Sequence, residues 1–248
     1  LKTVGALNVT AKANTTIAGT LASNGDMTLA NTAGSLTSTG TIQSGGSLTA
    51  NTAKSIDLGT GATSSLGNLS LRAGQNVAMN GTIVSQDNGT IKAGGTIGGA
   101  ASIAFGLAAN LNSGGSTTLT GSLRGATIQT SAGGSGTFAN VQAGSDIALA
   151  ASKNLNVTDT LVGGSNVSLT AGNDVNVSGT TAVTLDTTLQ SGWDINVTGT
   201  LNGQGNGYLH AGRDIAGNGS LGFQQAAVFT AAADIAQSGL VQGQSVQA

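Results

Sequence analysis

Four aspartates that recur at a step of twenty residues are the most conspicuous candidates for chemistry: Asp174, Asp194, Asp214 and Asp234. If equivalent positions stack, their carboxylates lie one strand spacing apart, ~4.8 Å. Like-charge repulsion at that distance is about 0.9 kcal/mol per pair in water, which a shared cation would relieve. Asn76 and Asn154 occupy the same phase without charge. We therefore favour hydrated corner caps over a cation site, and predict no metal ligand.

His210 is the only histidine, and alternation between Leu209 and Ala211 turns it outward. The chain has no Cys, no second His and no Glu, so a histidine metal site or a nucleophilic triad is not expected. The sequence predicts no catalytic residue, no cofactor-binding residue and no cofactor.

Carbohydrate chemistry has two weak candidates. A polysaccharide-active enzyme needs carboxylates that converge in one cleft, often with Arg or Lys, and only Lys153, Arg213 and the neighbouring Asp corners could converge. Trp193 and Tyr208 could form a sugar-binding surface, although incidental exposed aromatics are the simpler interpretation. We predict that the chain is not an enzyme.

The aspartates belong to a phrase, Gly-x-Asp-Ile/Val, that also contains Gly172, Gly192 and Gly212. A fixed step of this size is typical of stacked repeats. The glycine position can be followed along the whole chain as Asn14, Ala33, Ala53, Gly74, Gly94, Gly114, Gly134, Ser152, Gly172, Gly192, Gly212 and Ala232.

Two further apolar phases share this step. One ends the phrase Gly-Thr-Leu, at Leu21, Ile42, Ile83, Ile103, Leu123, Val141, Leu161, Leu201, Leu221 and Leu240. The other is an apolar-x-apolar pair, as in Leu69/Leu71 and Val167/Leu169. Alternation of period two indicates strands with one buried face. The sequence predicts an all-β, right-handed parallel β-helix of about 12 coils, about 20 residues and three short strands each, as a single shaft over residues 1–248.

Polar corners should separate these strands. Glycine would supply a positive φ there, and Asn or Asp beside it would bond the local backbone. A second corner column mixes the two residue types: Asn68, Asp146, Asn166, Asp186 and Asn206. Coils around 58–68 and 98–140 should be less regular. Residues 58–68 replace the Gly-Thr-Leu phrase, and Phe105 and Leu107 fall out of phase, either inside the helix, which we favour, or as an exposed patch.

The amino-acid composition argues against several classes of protein. There are 41 Gly and no Pro, and 7% of residues are charged against 38% hydrophobic, which is too apolar for a disordered chain. The net charge of −2 gives no basic footprint for nucleic acid. No apolar run reaches the ~18 residues of a membrane span. The chain opens at Leu1, mid-repeat and without a leader, which we interpret as a piece of a longer protein.

Residues 165–201 carry a family resemblance. The phrase Ser-Asn-Val-Ser-Leu-Thr-Ala-Gly-Asn-Asp-Val-Asn-Val starts at Ser165, and Gly-Trp-Asp-Ile-Asn-Val-Thr-Gly-Thr-Leu starts at Gly192. Together they resemble the filamentous haemagglutinin repeats of Gram-negative exoproteins. The similarity covers nearly the whole chain and weakens around residues 98–140.

The resemblance implies a secreted or cell-surface protein of the two-partner pathway, an adhesin or a contact-dependent growth inhibition effector. Its partners would be an outer-membrane transporter during export, and a host or neighbouring-cell receptor or glycan bound by other parts of the parent. This chain would be the shaft. The alternatives are a glycan- or receptor-binding module and a polysaccharide-active enzyme. An ice-binding face is not expected, because the outward column of Ala148, Ser168, Thr188, Tyr208 and Val228 is too mixed.

Overall fold

The computed structural model describes residues 1–248 and contains strands, turns and bends but no helix. The strands are parallel and stack as a β-solenoid of about 12 turns, about 20 residues per turn and three strands per coil. The all-β parallel solenoid predicted from the repeat is therefore confirmed. The chain divides into two compact units, residues 1–126 and residues 127–248, and each is described by itself. The single shaft over 1–248 stays a prediction.

Each coil has three faces, named here in chain order face A, face B and face C. Face A carries the longest strands. In residues 1–126 these are Leu7–Ala11, Met27–Asn31, Leu48–Thr52, Leu69–Ala73, Gly89–Ala93 and Ala108–Ser113. In residues 127–248 they are Thr127–Ala132, Ile147–Ala151, Val167–Ala171, Thr187–Ser191, Gly207–Ala211, Ala226–Ala231 and Ser245–Gln247.

Face B consists of three-residue strands. In the first unit these are Thr15–Ile17, Leu36–Ser38, Ile56–Leu58, Val77–Met79 and Ile97–Gly99. In the second unit they are Leu155–Val157, Val175–Val177, Ile195–Val197, Ile215–Gly217 and Ile235–Gln237.

Face C completes each coil. In the first unit its strands are Lys2–Thr3, Thr20–Ser23, Thr41–Ser44, Ala62–Ser65, Thr82–Ser85 and Ser102–Phe105. In the second unit they are Thr160–Gly163, Thr180–Val183, Thr200–Gly203, Ser220–Phe223 and Val241–Gln242. Two long strands, Thr117–Gly125 and Gly136–Ala143, each cover faces B and C of one coil.

Alternation places the core on the inward side of each face. On Leu69–Ala73 the residues Leu69, Leu71 and Ala73 are buried, whereas Arg72 is exposed. Each strand bonds to its copy one coil away, so Leu69 lies level with Leu48 and with Gly89. Because one coil has no partner for its inward side chains or its backbone, stacking provides both the core and the hydrogen bonds.

At the corner between faces C and A, two inward side chains fill the core together, and their sizes are complementary. The first residue of a face A strand and the last residue of the following face C strand form a pair, and the pairs read Leu7/Ser23, Leu69/Ser85, Gly89/Phe105, Ile147/Gly163, Val167/Val183, Thr187/Gly203 and Gly207/Phe223. A side-chain carbon added at Gly89 or Gly207 would fall within the ring of Phe105 or Phe223 respectively. A large residue therefore faces a small one, or, as in Val167/Val183, two residues of intermediate size face each other, and interior packing density is kept.

Buried serines at this corner hydrogen-bond to the backbone. Ser23 Oγ donates to the Gly25 carbonyl at 2.8 Å, Ser65 Oγ to Gly67 at 3.0 Å and Ser85 Oγ also to Gly67 at 2.6 Å. These bonds remove the desolvation cost of a buried hydroxyl. Small polar residues can therefore occupy the positions that the large face A residues leave free.

The predicted irregular segments have different outcomes. Residues 58–68 contain the regular strand Ala62–Ser65, which pairs with both neighbouring coils, and buried Thr63 lies level with Ile42 and Ile83. The irregular corner predicted there is wrong, because a threonine can fill a leucine position. The strand Thr117–Gly125 runs through a corner, within the less regular stretch predicted for 98–140.

Phe105 is 4% exposed and Leu107 is 49% exposed. The interior position favoured for Phe105 is confirmed, and Leu107 lies at the surface instead.

Four register assignments were wrong. Asn31 pairs with Thr52, so Thr32 rather than Ala33 lies level with Ala53. Val241 rather than Leu240 lies level with Leu221. Ala132 pairs with Ala151, so Gly133 rather than Gly134 lies level with Ser152. Thr15 pairs with Leu36, which places Asn14 level with Ser35 in a capping corner, outside the glycine column. Each error is a shift of one or two residues.

The glycine column has a different cause from the one that the sequence suggested. Only Gly99 and Gly217 have a positive φ, of 133° and 142°. At Gly192, a side-chain carbon would instead collide with the carbonyl oxygen of Gly172 one coil below, and Gly212 stands in the same relation to Gly192. Glycine is used there because the backbones approach too closely for a Cβ.

Candidate functional site

The aspartate ladder joins successive coils. Each aspartate immediately precedes a face B strand. Oδ1 of Asp174, Asp194 and Asp214 accepts the backbone N–H of the next aspartate in the ladder. The distances are 3.3 Å from the Asp194 nitrogen to Asp174, 3.2 Å from Asp214 to Asp194 and 3.0 Å from Asp234 to Asp214. Each of these bonds goes to the next coil, whereas the cap predicted from the sequence bonds the local backbone.

Uncharged residues make the same bond. Asn76 Oδ1 accepts the N–H of Thr96 at 2.8 Å, and Asn14 Oδ1 accepts that of Ser35 at 3.0 Å. The bond requires an oxygen acceptor rather than a charge, which explains why both Asn and Asp occur in this column. No group of three or more His, Cys, Asp or Glu side chains is placed to hold a metal ion.

The second corner column follows the same rule. Asp146 Oδ1 accepts the N–H of Asn166 at 3.0 Å, Asn166 that of Asp186 at 3.3 Å, and Asp186 that of Asn206 at 2.7 Å. Asn68 does so for Asn88 at 3.2 Å. Both polar corner columns therefore have one function, which is to hold the turns of adjacent coils together.

Arg213 is the only cation that neutralises the aspartate ladder. Its guanidinium forms a two-point ion pair with Asp194, with Nε at 2.8 Å from Oδ1, and lies 3.4 Å from Asp214 Oδ2. The hydrogen bonds from Arg213 lower the pKa of Asp194, while its partial burial acts in the opposite direction. The pKa of Arg213 is raised by the same pair. Arg213 converges with Asp corners as expected, whereas Lys153 forms no ion pair.

The structure does not bring Trp193 and Tyr208 together. Trp193 is 53% exposed in the corner after face A, and Tyr208 is 41% exposed near the start of a face A strand. Tyr208 lies level with Thr188, five residues before Trp193 and on the other side of the corner that follows face A, a path along the chain of up to roughly 16 Å. They can act as two separate surface contacts, not as one sugar platform. His210 is exposed on the same strand, as predicted.

An amide ladder on face B was missed by the sequence interpretation. Asn176 Nδ2 donates to Asn156 Oδ1 at 2.9 Å, and Asn196 Nδ2 donates to Asn176 Oδ1 at 3.0 Å. The signal was present as Asn-Val-Thr or Asn-Val-Ser at a step of twenty residues. These three outward side chains satisfy one another across coils and add to the cohesion of the stack.

A groove in the first unit was also missed. It is an open groove of about 600 Å³ at the corner after face A, and Arg72 and Lys92 are among the residues that line it. Its lining also contains a row of small residues, named here the floor: Ala53, Gly74 and Gly94. Arg72 and Lys92 pair in register. The sequence could have indicated this groove, because Arg72 and Lys92 are twenty residues apart and both occupy outward positions of face A strands.

No family model, curated protein or solved structure matches this chain. The resemblance to filamentous haemagglutinin repeats therefore stays a prediction. The structure contains no helix that could span a membrane.

Proposed function

We propose that this chain is a structural shaft segment of a large secreted or cell-surface adhesin-type exoprotein. In this proposal the stacked coils hold a binding or toxic tip away from the cell. An outer-membrane transporter of the two-partner pathway exports the parent, and other parts of the parent bind the receptor or glycan. The chain itself is not an enzyme.

One observation carries the proposal. The side chains that recur most regularly are used to join one coil to the next: the aspartates bond the next backbone N–H, the asparagines bond each other, and the glycines permit close approach. Residues selected for a binding site would break the repeat at one place, whereas these recur from coil to coil. The regularly repeated polar residues hold successive coils together, and this supports a role for the chain as a spacer.

A second candidate is a binding module that acts through the shaft surface. The observation in its favour is that Trp193 and Tyr208 are large, exposed and unlike the residues level with them in adjacent coils. Exposed aromatics are enriched at recognition surfaces. The two candidates give opposite results for the same substitutions.

The test is cell or receptor binding by the parent exoprotein carrying Trp193→Ala and Tyr208→Ala together. A shaft segment predicts unchanged binding, because the contact lies elsewhere in the parent. The control is Leu209→Asp, which buries a charge and should abolish folding and surface display. Loss of binding in the aromatic double variant, with normal surface display, would replace the shaft proposal by the binding module.

A further inference from the structure

The groove in the first unit lies beside a column of four outward side chains on consecutive face A strands: Asn51, Arg72, Lys92 and Asn112. They are level with one another and exposed. None of them has a hydrogen-bond or ion-pair partner within the chain, since the only ion pairs are those of Arg213. Two cations flanked by two amides thus face solvent with their full bonding capacity unused.

The floor of the groove is bare for a structural reason. A Cβ at Gly74 would collide with the Ala53 carbonyl, and one at Gly94 would collide with the Gly74 carbonyl. The close approach that joins the coils therefore also removes the side chains next to Arg72 and Lys92. A ligand lying on this floor would contact backbone directly and have the cations at its side.

Charge is distributed unevenly along the chain. Residues 1–126 carry six Lys or Arg and three Asp, a formal charge of +3, whereas residues 127–248 carry two and seven, a charge of −5. None of the three acidic residues of the first unit lines the groove. Asp26 and Asp87 precede face A strands, and Asp57 lies on face B. No carboxylate of the first unit competes for Arg72 or Lys92.

Spacing selects among anionic ligands. Arg72 and Lys92 are one strand spacing apart, ~4.8 Å, a distance comparable to the length that one sugar residue adds to an extended polysaccharide. A polyuronate carries a carboxylate on every residue, and the long, flexible side chains of Arg72 and Lys92 can each reach the carboxylate of one of two neighbouring sugar residues. The Arg fork binds a carboxylate in two-point geometry, Lys adds a point charge, and the amides of Asn51 and Asn112 can bond the hydroxyls of flanking residues.

We propose that this column and its groove bind an extended polyuronate chain, with carboxylates of successive sugar residues on Arg72 and Lys92. The polysaccharide runs along the stacking direction of the coils. This goes beyond a spacer role and does not depend on it, because it concerns the surface of the first unit alone.

The test is titration calorimetry of the whole chain with oligogalacturonate in the presence of a chelator, comparing Arg72→Gln/Lys92→Gln with the control Arg124→Gln/Lys153→Gln. Both double variants remove two positive charges from exposed positions. The groove variant should bind at least about tenfold more weakly, equivalent to about 1.4 kcal/mol, while the control should match the unsubstituted chain. Circular dichroism verifies that both variants fold.

Three outcomes would overturn the proposal. They are no measurable binding of oligogalacturonate by the unsubstituted chain, equal losses in the two double variants, and binding of hyaluronan or heparin as tight as that of oligogalacturonate. Hyaluronan has a carboxylate on alternate residues only, so weaker binding is expected. Tight heparin binding would identify a sulfated glycan or a general polyanion site instead.

Discussion

At the scale of the residue, the corner aspartates combine two demands on one side chain. Asp194 Oδ1 accepts a hydrogen bond from a backbone N–H of the next coil. Both carboxylate oxygens of Asp194 also accept hydrogen bonds from the Arg213 guanidinium. The first demand is met equally well by asparagine, as at Asn76 and Asn14. The second requires a charge. Asp194 is therefore the member of the ladder at which protonation has a consequence.

We predict that Arg213→Gln raises the pKa of Asp194 towards the ordinary aspartate value of ~3.9. The pair with Arg213 lowers that pKa in the folded chain. The measurement is an NMR titration of the side-chain carboxyls, with Arg124→Gln as the control that should leave Asp194 unchanged. An unaltered Asp194 titration in Arg213→Gln would show that the pair is absent in solution.

The same pair gives a pH dependence of defined sign. A carboxyl whose folded pKa is depressed contributes stability above its unfolded pKa, and that contribution is lost as pH falls through the folded pKa. The unsubstituted chain should therefore be more stable than Arg213→Gln at pH 7, and the difference should vanish in acid below the folded pKa of Asp194. Because the Arg213 side chain is 57% exposed, salt should reduce the difference.

At the scale of the element, the strands are short, and which residue fits at the start of a face A strand depends on the residue that packs against it from the following face C strand. Strand Gly207–Ala211 begins with a residue that has no side chain, and Phe223 from the following face C strand fills the space. The same arrangement recurs for Gly89 and Phe105. Two coils earlier, Val167 and Val183 occupy the equivalent positions. The pair, rather than either residue, is the unit of packing.

We predict that Gly207→Val and Phe223→Val each destabilise the chain, whereas the double variant recovers part of the loss. Phe223→Val should cost about 2–3 kcal/mol by leaving a cavity. Gly207→Val should cost about 1–3 kcal/mol by overpacking against the ring. The double variant recreates the Val167/Val183 pair, so its loss should be smaller than the sum by at least about 1 kcal/mol.

Denaturant unfolding measures these three variants. Gly207→Val combined with Val141→Ala serves as the control, because the two sites share no neighbour and should be additive. Strict additivity of the Gly207 and Phe223 substitutions would contradict the paired packing.

At the scale of the whole molecule, the repeat makes the coils of each unit interchangeable in principle. Gly172 and Gly192 occupy the same position in adjacent coils, and each donates its N–H to the coil below. The twenty residues 173–192 therefore form one complete coil. In stacked repeats, stability is approximately a sum of coil and interface contributions, without long-range contacts that one deletion would break.

We predict that deletion of residues 173–192 leaves the β-type circular dichroism and cooperative unfolding intact, with a moderate loss of stability. Deletion of only 173–182 is the matched control. It removes the face B strand Val175–Val177 and three of the four residues of the face C strand Thr180–Val183. The half coil that remains cannot pair with the coils on both sides of it. Thermal unfolding of the two variants tests this, and equal damage by both deletions would contradict interchangeable coils.

The repeat length, the number of coils, the three strands per coil and the buried residues could all be predicted from the sequence. A step of twenty residues survives wherever Val, Ile or Leu recurs between polar residues, as from Val175 to Ile195. The assignment of buried positions failed where a residue of another type takes the place of the repeated aliphatic residue. Thr63 occupies a leucine position, and Leu240 precedes the residue that pairs with Leu221.

Sequence alone determined the periodicity, because alternation and fixed spacing are properties of the chain itself. Tertiary structure decided what the periodic residues do. The glycines leave room for the carbonyl oxygens of the coil below, and the Asp and Asn side chains at the corners accept hydrogen bonds from the next coil. Arg213 forms an ion pair with Asp194. All three relations connect residues about twenty apart, at distances set by how closely two coils stack. A one-dimensional pattern shows which positions are equivalent, whereas only the stacked backbone shows how near they lie.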